Sequence, residues 1–332
     1  MALLSLLTLE GLLRLTAPYL GAQVCTELFR TYSNEWGGIY FCDPLSKVNF
    51  MRPNDHKRAA VSGYQWSHDT DQRGLRNPPG SEHEVLIFGD SFLYGHGAQE
   101  PDTAVAQLRK VHGWKVYNMA RQGDTITSEY VLFRLWFDEL KPKRIIVCAF
   151  GNDFFDVNAV RSPEEQADPP ELKAGFFEGV RKNCADPNWT KPFGTWWSTS
   201  YTYRLGLYFK GRLAPPPAGG PLLPTSRSGR FDSVAHYYTL LFEDMVRRCR
   251  ESGCQVDLVF VDVGAEESMW REEIDRMDRF FAQLCRRNGV PYHSTKDLLR
   301  NRPDLTLAND GHLNPAGNRA LADFLAEKCG TP

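Results

Sequence analysis

Residues 86–97 read LIFGDSFLYGHG. An apolar run is broken at Gly89 and Asp90, and Ser91 stands where the chain must reverse into the next element. A serine in that position can cap a helix, serve a phosphate loop or act as a nucleophile. Which of these holds depends on what surrounds the turn.

Outward from this stretch, strand and helix patterns alternate, the signature of a parallel α/β sheet. EVLIFG (84–89) and KVYN (115–118) read as strands, with TAVAQLRKVHG (103–113) helical between them. ITSEYVLFRLWFDELK (126–141) carries apolar residues at three-to-four spacing, and RIIVCAF (144–150) is apolar throughout, as a strand covered on both faces should be. The alternation stops over 158–230, which holds PPPAGGPLLP and the aromatic stretch TWWSTSYTYRLGLYF. It resumes with a helix over 231–252, the strand QVDLVFVD (255–262), a helix over 266–288, the short strand VPYHS (290–294) and a last helix from Pro315. The pattern predicts a flavodoxin-like, doubly wound sheet of about five parallel strands, with an insertion or cap between the third and fourth. Such sheets bind ligands at the carboxyl ends of their strands. The expected organisation is an amphipathic or membrane-anchor-like segment (1–30), a lead-in region (31–83) and an α/β domain (84–330) with the insertion at 158–230.

The chain of 332 residues is 42% hydrophobic and 24% charged, with a formal net charge of −2. That composition suits a sizeable core and offers no basic surface for nucleic acid. None of the eight cysteines forms a CxxC pair, which argues against a zinc site, and no cofactor is expected. Cysteine spacing permits a Cys25–Cys42 disulfide without establishing it. The start, MALLSLLTLEGLLRLTAPYLGA, is interrupted by Glu10 and Arg14 and falls short of the roughly 20 apolar residues of a spanning helix. Glu10 and Arg14, four apart, would pair on one helical face. The segment reads as a helix docked on the domain or as a peripheral membrane contact through residues 1–25. A membrane or bacterial-envelope location is favoured over the cytoplasm.

The predicted strand ends collect four blocks: GDSF (89–92), QGDT (122–125), GND (151–153) and DGHLN (310–314). Their order and spacing resemble the SGNH hydrolases, the GDSL esterase/lipase superfamily, with Ser91, Gly123, Asn152 and His312 at the marker positions. DTDQRGLRNPP (69–79) resembles the lead-in of bacterial members. The resemblance implies that Ser91 is a nucleophile and His312 its base. The backbone N–H groups of Ser91 and Gly123 and the Asn152 amide would form the oxyanion hole. Many members place the acid three residues before the histidine, where this chain has Asn309; the acid role therefore falls to Asp310.

The chemistry fits those residue types. A hydroxyl needs a base to take its proton, an acid must orient the imidazole, and donors must meet the charge that develops on the carbonyl oxygen. The expected function is a serine esterase acting on an O-acetyl or other short-chain acyl ester of a small molecule, lipid or carbohydrate. Two alternatives stand beside it: an envelope glycan O-acyltransferase using the same triad, and a non-catalytic scaffold. His96, five residues after the serine, is a rival base whose position suits packing better. Asp153 and Asp156 lack a histidine companion and do not read as a metal site. Trp196, Trp197 and Tyr201, with Tyr203, are candidates for a substrate-contacting wall, although such aromatics more often pack an insertion on the body.

Overall fold

A computed structural model describes residues 2–29, 31–186, 194, 196–213, 228–263, 268–308 and 310–330. The PPPAGGPLLP run at 215–224 and Asn309 lie outside the described residues.

Two polar residues decide how the chain begins. In helix α1 (Ala2–Thr16), Arg14 donates to Glu10 at 2.8 Å, the pairing expected from their spacing. The Glu10 carboxylate also accepts from the backbone N–H groups of Tyr201 and Thr202 and from the hydroxyls of Ser200 and Thr202. Burial opposes its charge, yet these donors bring it down to about 2. The helix thus turns its polar side to the protein and leaves leucines such as Leu4, Leu7 and Leu15 exposed. Among the described residues no helix is long and apolar enough to cross a membrane. Helix α2 (Ala22–Phe29) follows.

Two antiparallel pairs come next, β1 (Tyr40–Cys42) with β2 (Asn49–Met51), and β3 (His56–Val61) with β4 (Tyr64–Asp69). The second pair closes on Ser62 and Gly63, whose φ values of 52° and 92° are the left-handed pair that a two-residue hairpin turn requires.

The main sheet contains β5 (Val85–Gly89), β6 (Val116–Asn118), β7 (Arg144–Phe150), β8 (Gln255–Val261) and β9 (Tyr292–Ser294). All pair in parallel in the order β6-β5-β7-β8-β9. The second strand of the unit thus lies outside the first, which is the flavodoxin-like order expected from the sequence. β5 is buried at every residue and β7 at all but its ends, because helices cover both faces. Helices α3 (Ser91–Tyr94) and α4 (Ala104–His112) follow β5, α5 (Ile126–Leu140) follows β6, and α6 (Gly151–Val160), α7 (Pro163–Ala167) and α8 (Phe176–Ala185) follow β7. Next come α9 (Tyr201–Leu213), α10 (Ser228–Ser252), α11 (Ser268–Arg287), α12 (Lys296–Leu299) and α13 (Pro315–Cys329). α4 and α13 pack on each other, while α10 lies against α5 and β8, and α11 against β8 and β9. Within the segment read as an insertion, α7 lies on α10, α8 on α5, and α9 against α1 and α2. The eight cysteines are all free thiols.

One lead-in side chain ties these parts together. Arg76 is 2% exposed, and its guanidinium donates to the carbonyls of Tyr94, Gly95, Ser67 and Ala98 at 2.8–3.0 Å. It therefore fixes the loop that leaves Ser91. Its neighbour Asn77 exchanges two hydrogen bonds with the backbone of Asn118 and occupies the open edge of β6. Replacing Arg76 by Met leaves four carbonyls, three of them in buried contacts, without their donor, and hydrogen bonds to charged groups contribute about 1.5–3 kcal/mol each before relaxation. Urea unfolding of Arg76→Met is expected to show a loss of about 3 kcal/mol, whereas a change below about 0.5 kcal/mol would rule out this anchoring.

Candidate active site

The turn after β5 is built for close approach. A Cβ on Gly89 would stand 3.1 Å from the carbonyl oxygen of Cys148 on β7, so a side chain there would press the two strands apart. Asp90 then caps α3: one carboxylate oxygen accepts from the Phe92 N–H at 3.0 Å, and the other lies 3.2 Å from Ser91 Oγ. Gly95 ends the four-residue helix at φ 83°, a conformation that favours glycine. Ser91 is 8% exposed. Among the described residues, neither its N–H nor that of Gly123 meets a protein acceptor.

A second loop brings the imidazole. Leu307 N–H donates to the His312 carbonyl at 2.7 Å, and Thr306 and Leu313 form an isolated antiparallel bridge, so 306–307 and 312–313 run back along each other. Asn314 caps α13 by accepting from Gly317 N–H at 2.9 Å, with Pro315 in the first turn, as the Asn-Pro pair predicted. The two loops meet at a hydrogen bond of 2.8 Å between Ser91 Oγ and His312 Nε2. The other ring nitrogen, Nδ1, bonds Asp310 Oδ1. Burial raises the cost of charge on Asp310, but the His312 hydrogen bond, with His96 and Ser62 beside it, holds its carboxyl well below the usual range. A hydroxyl, an imidazole and an ionised carboxylate in this sequence can move a proton off the hydroxyl and stabilise the resulting imidazolium.

The two flanking blocks lie on the strands beside β5. Gly123 sits in a turn after β6 with φ 69°, where a Cβ would meet nothing but the conformation itself is costly for other residues. Asn152 opens α6 after β7, and the Phe92 and Phe150 rings, 4.4 Å apart, join the ends of β5 and β7. The Asn152 Oδ1 is buried without a partner among the described residues. A half-turn of the amide would exchange that oxygen for N–H.

Beneath the Gly123 turn lies a group of buried acids that sequence reading passed over. Asp124 pairs with Arg121 at 2.9 Å, and burial nevertheless lifts its carboxyl to about 6. Burial, with the charges of Asp124 and Asp90, pushes Glu129 well above the carboxylate range, and neither of its oxygens has a partner among the described residues. Burial also lifts Asp90 to about 6, against the Phe92 N–H, the nearby His312 and the Ser91 hydroxyl.

The aromatic residues proposed for a substrate wall do not gather here. Tyr201 packs edge-on to Phe29 at 5.9 Å and lies under the Arg14 guanidinium, so its partners are α1 and α2. Trp197 is 60% exposed, and the side chain of Trp196 lies outside the described residues. His96 was read as packing, and it does stack on His312 with centroids 4.0 Å apart, but its Nε2 also stands 3.6 Å from Asp310. The signals missed in the sequence are Ser62 and Arg76, both in the lead-in. Among the described residues, two groups have ligand-type atoms close enough for a metal ion: His96, Asp310 and His312, and at the other end of the sheet Asp257, His293 and Cys329. In the first, Asp310 already hydrogen-bonds His312, and in the second Arg144 stands 3.4 Å from Asp257.

Residues 87–320 match the model of the GDSL-like lipase/acylhydrolase family. No curated protein matches the chain. Forty-nine solved chains match. TesA is 12% identical, with 74% of this chain and 96% of that chain covered and a TM-score of 0.44. The psychrotrophic esterase EstA from Pseudoalteromonas sp., in a structure inhibited by monoethylphosphonate, is 11% identical over 74% and 95% of the two chains, with a TM-score of 0.40. A catalytic mutant of Axe2, an acetylxylan esterase from Geobacillus stearothermophilus, is 14% identical over 78% and 98%, with a TM-score of 0.40.

The raised Asp90 carboxyl sets a pH dependence with a definite sign. The folded chain keeps its proton up to about 6, whereas the unfolded chain releases it near 3.8. This group therefore adds stability that is fully present below pH 3.8 and is lost as pH rises through 6. In urea unfolding at pH 4, 5, 6 and 7, Asp90→Asn is expected to lose stability less steeply than the unmodified protein. Parallel profiles would show that Asp90 titrates normally.

Proposed function

The chain belongs to the GDSL-like lipase/acylhydrolase family and is an ester-bond hydrolase; on that premise we propose that it is a serine esterase working through Ser91, His312 and Asp310. The observation that carries this reading is the 2.8 Å contact between Ser91 Oγ and His312 Nε2, with Nδ1 of the same ring on Asp310.

Ser91 Oγ attacks the ester carbonyl carbon as its proton passes to His312 Nε2. Asp310 fixes the ring and stabilises the imidazolium without taking the proton itself. The oxyanion meets the unspent N–H groups of Ser91 and Gly123, and the Asn152 amide once it has turned its nitrogen toward the site. Each such donor is worth on the order of 10²–10³ in rate. The alcohol leaves with the proton from His312, and a water molecule, deprotonated by the same ring, releases the acyl group from Ser91. The acyl group is short, acetyl or a near relative, on a small-molecule alcohol.

Hydrolysis of p-nitrophenyl esters from acetate to octanoate tests this directly. The wild type is expected to turn over, fastest on the short esters, and Ser91→Ala to fall to background. Asp310→Asn should lose about 10⁴ in rate, while Asn309→Ala stays within about tenfold of wild type. No turnover above the Ser91→Ala background would overturn the esterase and turn attention to acyl transfer or a scaffold.

We also propose that the enzyme works at a lipid surface. The pinning of Glu10 and Arg14 leaves Leu4, Leu7 and Leu15 at 60–75% exposure and Tyr19 at 88%, an apolar face turned away from the domain. Helix α9, packed on α1, adds exposed Tyr203 and the exposed cations Lys210 and Arg212, and the turn before it adds exposed Trp197. Leucines, interfacial aromatics and basic groups together suit an anionic bilayer surface. The protein is expected to sediment with phosphatidylglycerol vesicles, and Leu4→Glu/Leu7→Glu to stay in solution with p-nitrophenyl acetate turnover intact. Failure of the unmodified protein to sediment would refute the surface role.

A further inference from the structure

Asp310 has two histidine neighbours. His312 uses Oδ1, and the Nε2 of His96 stands 3.6 Å from Oδ2, just outside hydrogen-bond length. His96 is 6% exposed, and its Nε2 has no hydrogen-bond partner among the described residues. Its Nδ1 lies 2.7 Å from Gln122 Nε2, which also donates to Tyr32 Oη at 2.9 Å. An amide nitrogen can only donate, so Nδ1 of His96 must accept. The single proton of the neutral ring is therefore on Nε2, facing the carboxylate.

A hydrogen on Nδ1 of this ring would meet the hydrogens of Gln122. The titratable groups facing it are Asp310, the His312 ring stacked at 4.0 Å and 21°, and Tyr32 at 6.4 Å; Trp66 at 4.8 Å completes the walls. When His312 takes the proton of Ser91, a neutral ring stacked on it adds no like charge.

Resting on the Ser91–His312–Asp310 reading above, we propose that His96 is a positioning residue. Locked in its Nε2–H tautomer by Gln122, it holds the Asp310 oxygen that His312 leaves free. Gln122 is the residue before Gly123, so the clamp also ties the acid to the turn proposed for the oxyanion. It supplies what Asp310 needs: a carboxylate two residues from its histidine has little chain between them to fix its orientation, and the second oxygen is held from another loop.

The clamp has a kinetic signature that simple packing lacks. His96→Phe keeps a stacked ring but removes the donor. Asp310 then becomes more basic and holds the His312 proton more tightly, so the acidic limb of kcat/KM moves to higher pH. On p-nitrophenyl acetate, kcat is expected to fall about tenfold to a hundredfold with KM little changed. His96→Gln, which retains an N–H, should recover much of the rate and return the limb toward its original position. A His96→Phe enzyme with the wild-type kcat and limb overturns the clamp. So does nitrogen NMR of the unmodified protein at pH 7 if His96 carries its proton on Nδ1 or on both nitrogens, a measurement that survives misfolding of the variants. Ser91→Ala is run in parallel: full activity there would overturn the underlying triad instead, whatever His96 does.

Discussion

A carboxylate whose side chain is 6% exposed must be satisfied within the protein, and residues of three separate segments converge on Asp310. His312 comes from its own loop, Ser62 from the tip of the β3–β4 hairpin, and His96, 3.6 Å away, from the loop behind the Ser91 turn. Tyr64 reinforces the hairpin contact by donating to the Ala308 carbonyl at 3.0 Å. Satisfying one buried charge therefore draws the lead-in, the first βα loop and the C-terminal loop to one point. The lead-in is part of the architecture of the site and not a spacer before it.

The sheet supplies the other half of the geometry. Because β6 and β7 flank β5, the loops carrying Gly123 and Asn152 leave the sheet on either side of Ser91. The crowded turn between Gly89 and Gly95 then sets the serine at the head of α3, where backbone N–H groups are unspent. Arg76 holds that turn from behind through four carbonyls. This is a costly use of a buried guanidinium, and its return is a rigid position for Ser91.

What the sequence made legible follows from how locally each signal is encoded. The strands of the main sheet fall within two residues of their predicted starts, because burial on both faces leaves an uninterrupted apolar run. The Asn314-Pro315 cap and the Glu10–Arg14 pair were legible for the same reason, since both are contacts within a turn of helix. Ser62, Arg76 and the proton-bearing face of His96 were not, because their partners are distant in sequence and no periodicity announces them. Tyr201 takes the packing role that is commoner for such a stretch. Its aromatic stretch looks alternating in sequence, but it folds as α9, and helical spacing sets Tyr201 and Leu205 together against the small core formed with α2.

Ester cleavage by the proposed route turns on Ser91 being made nucleophilic by His312. The most direct measurement is covalent capture: incubate the protein with a p-nitrophenyl phosphonate ester, which leaves a stable phosphonyl group on an activated serine, and map the label by peptide mass spectrometry. One phosphonyl group on Ser91, formed orders of magnitude more slowly in His312→Ala, is the result this structure predicts. Labelling at another residue, or at Ser91 with equal speed in both proteins, would contradict it.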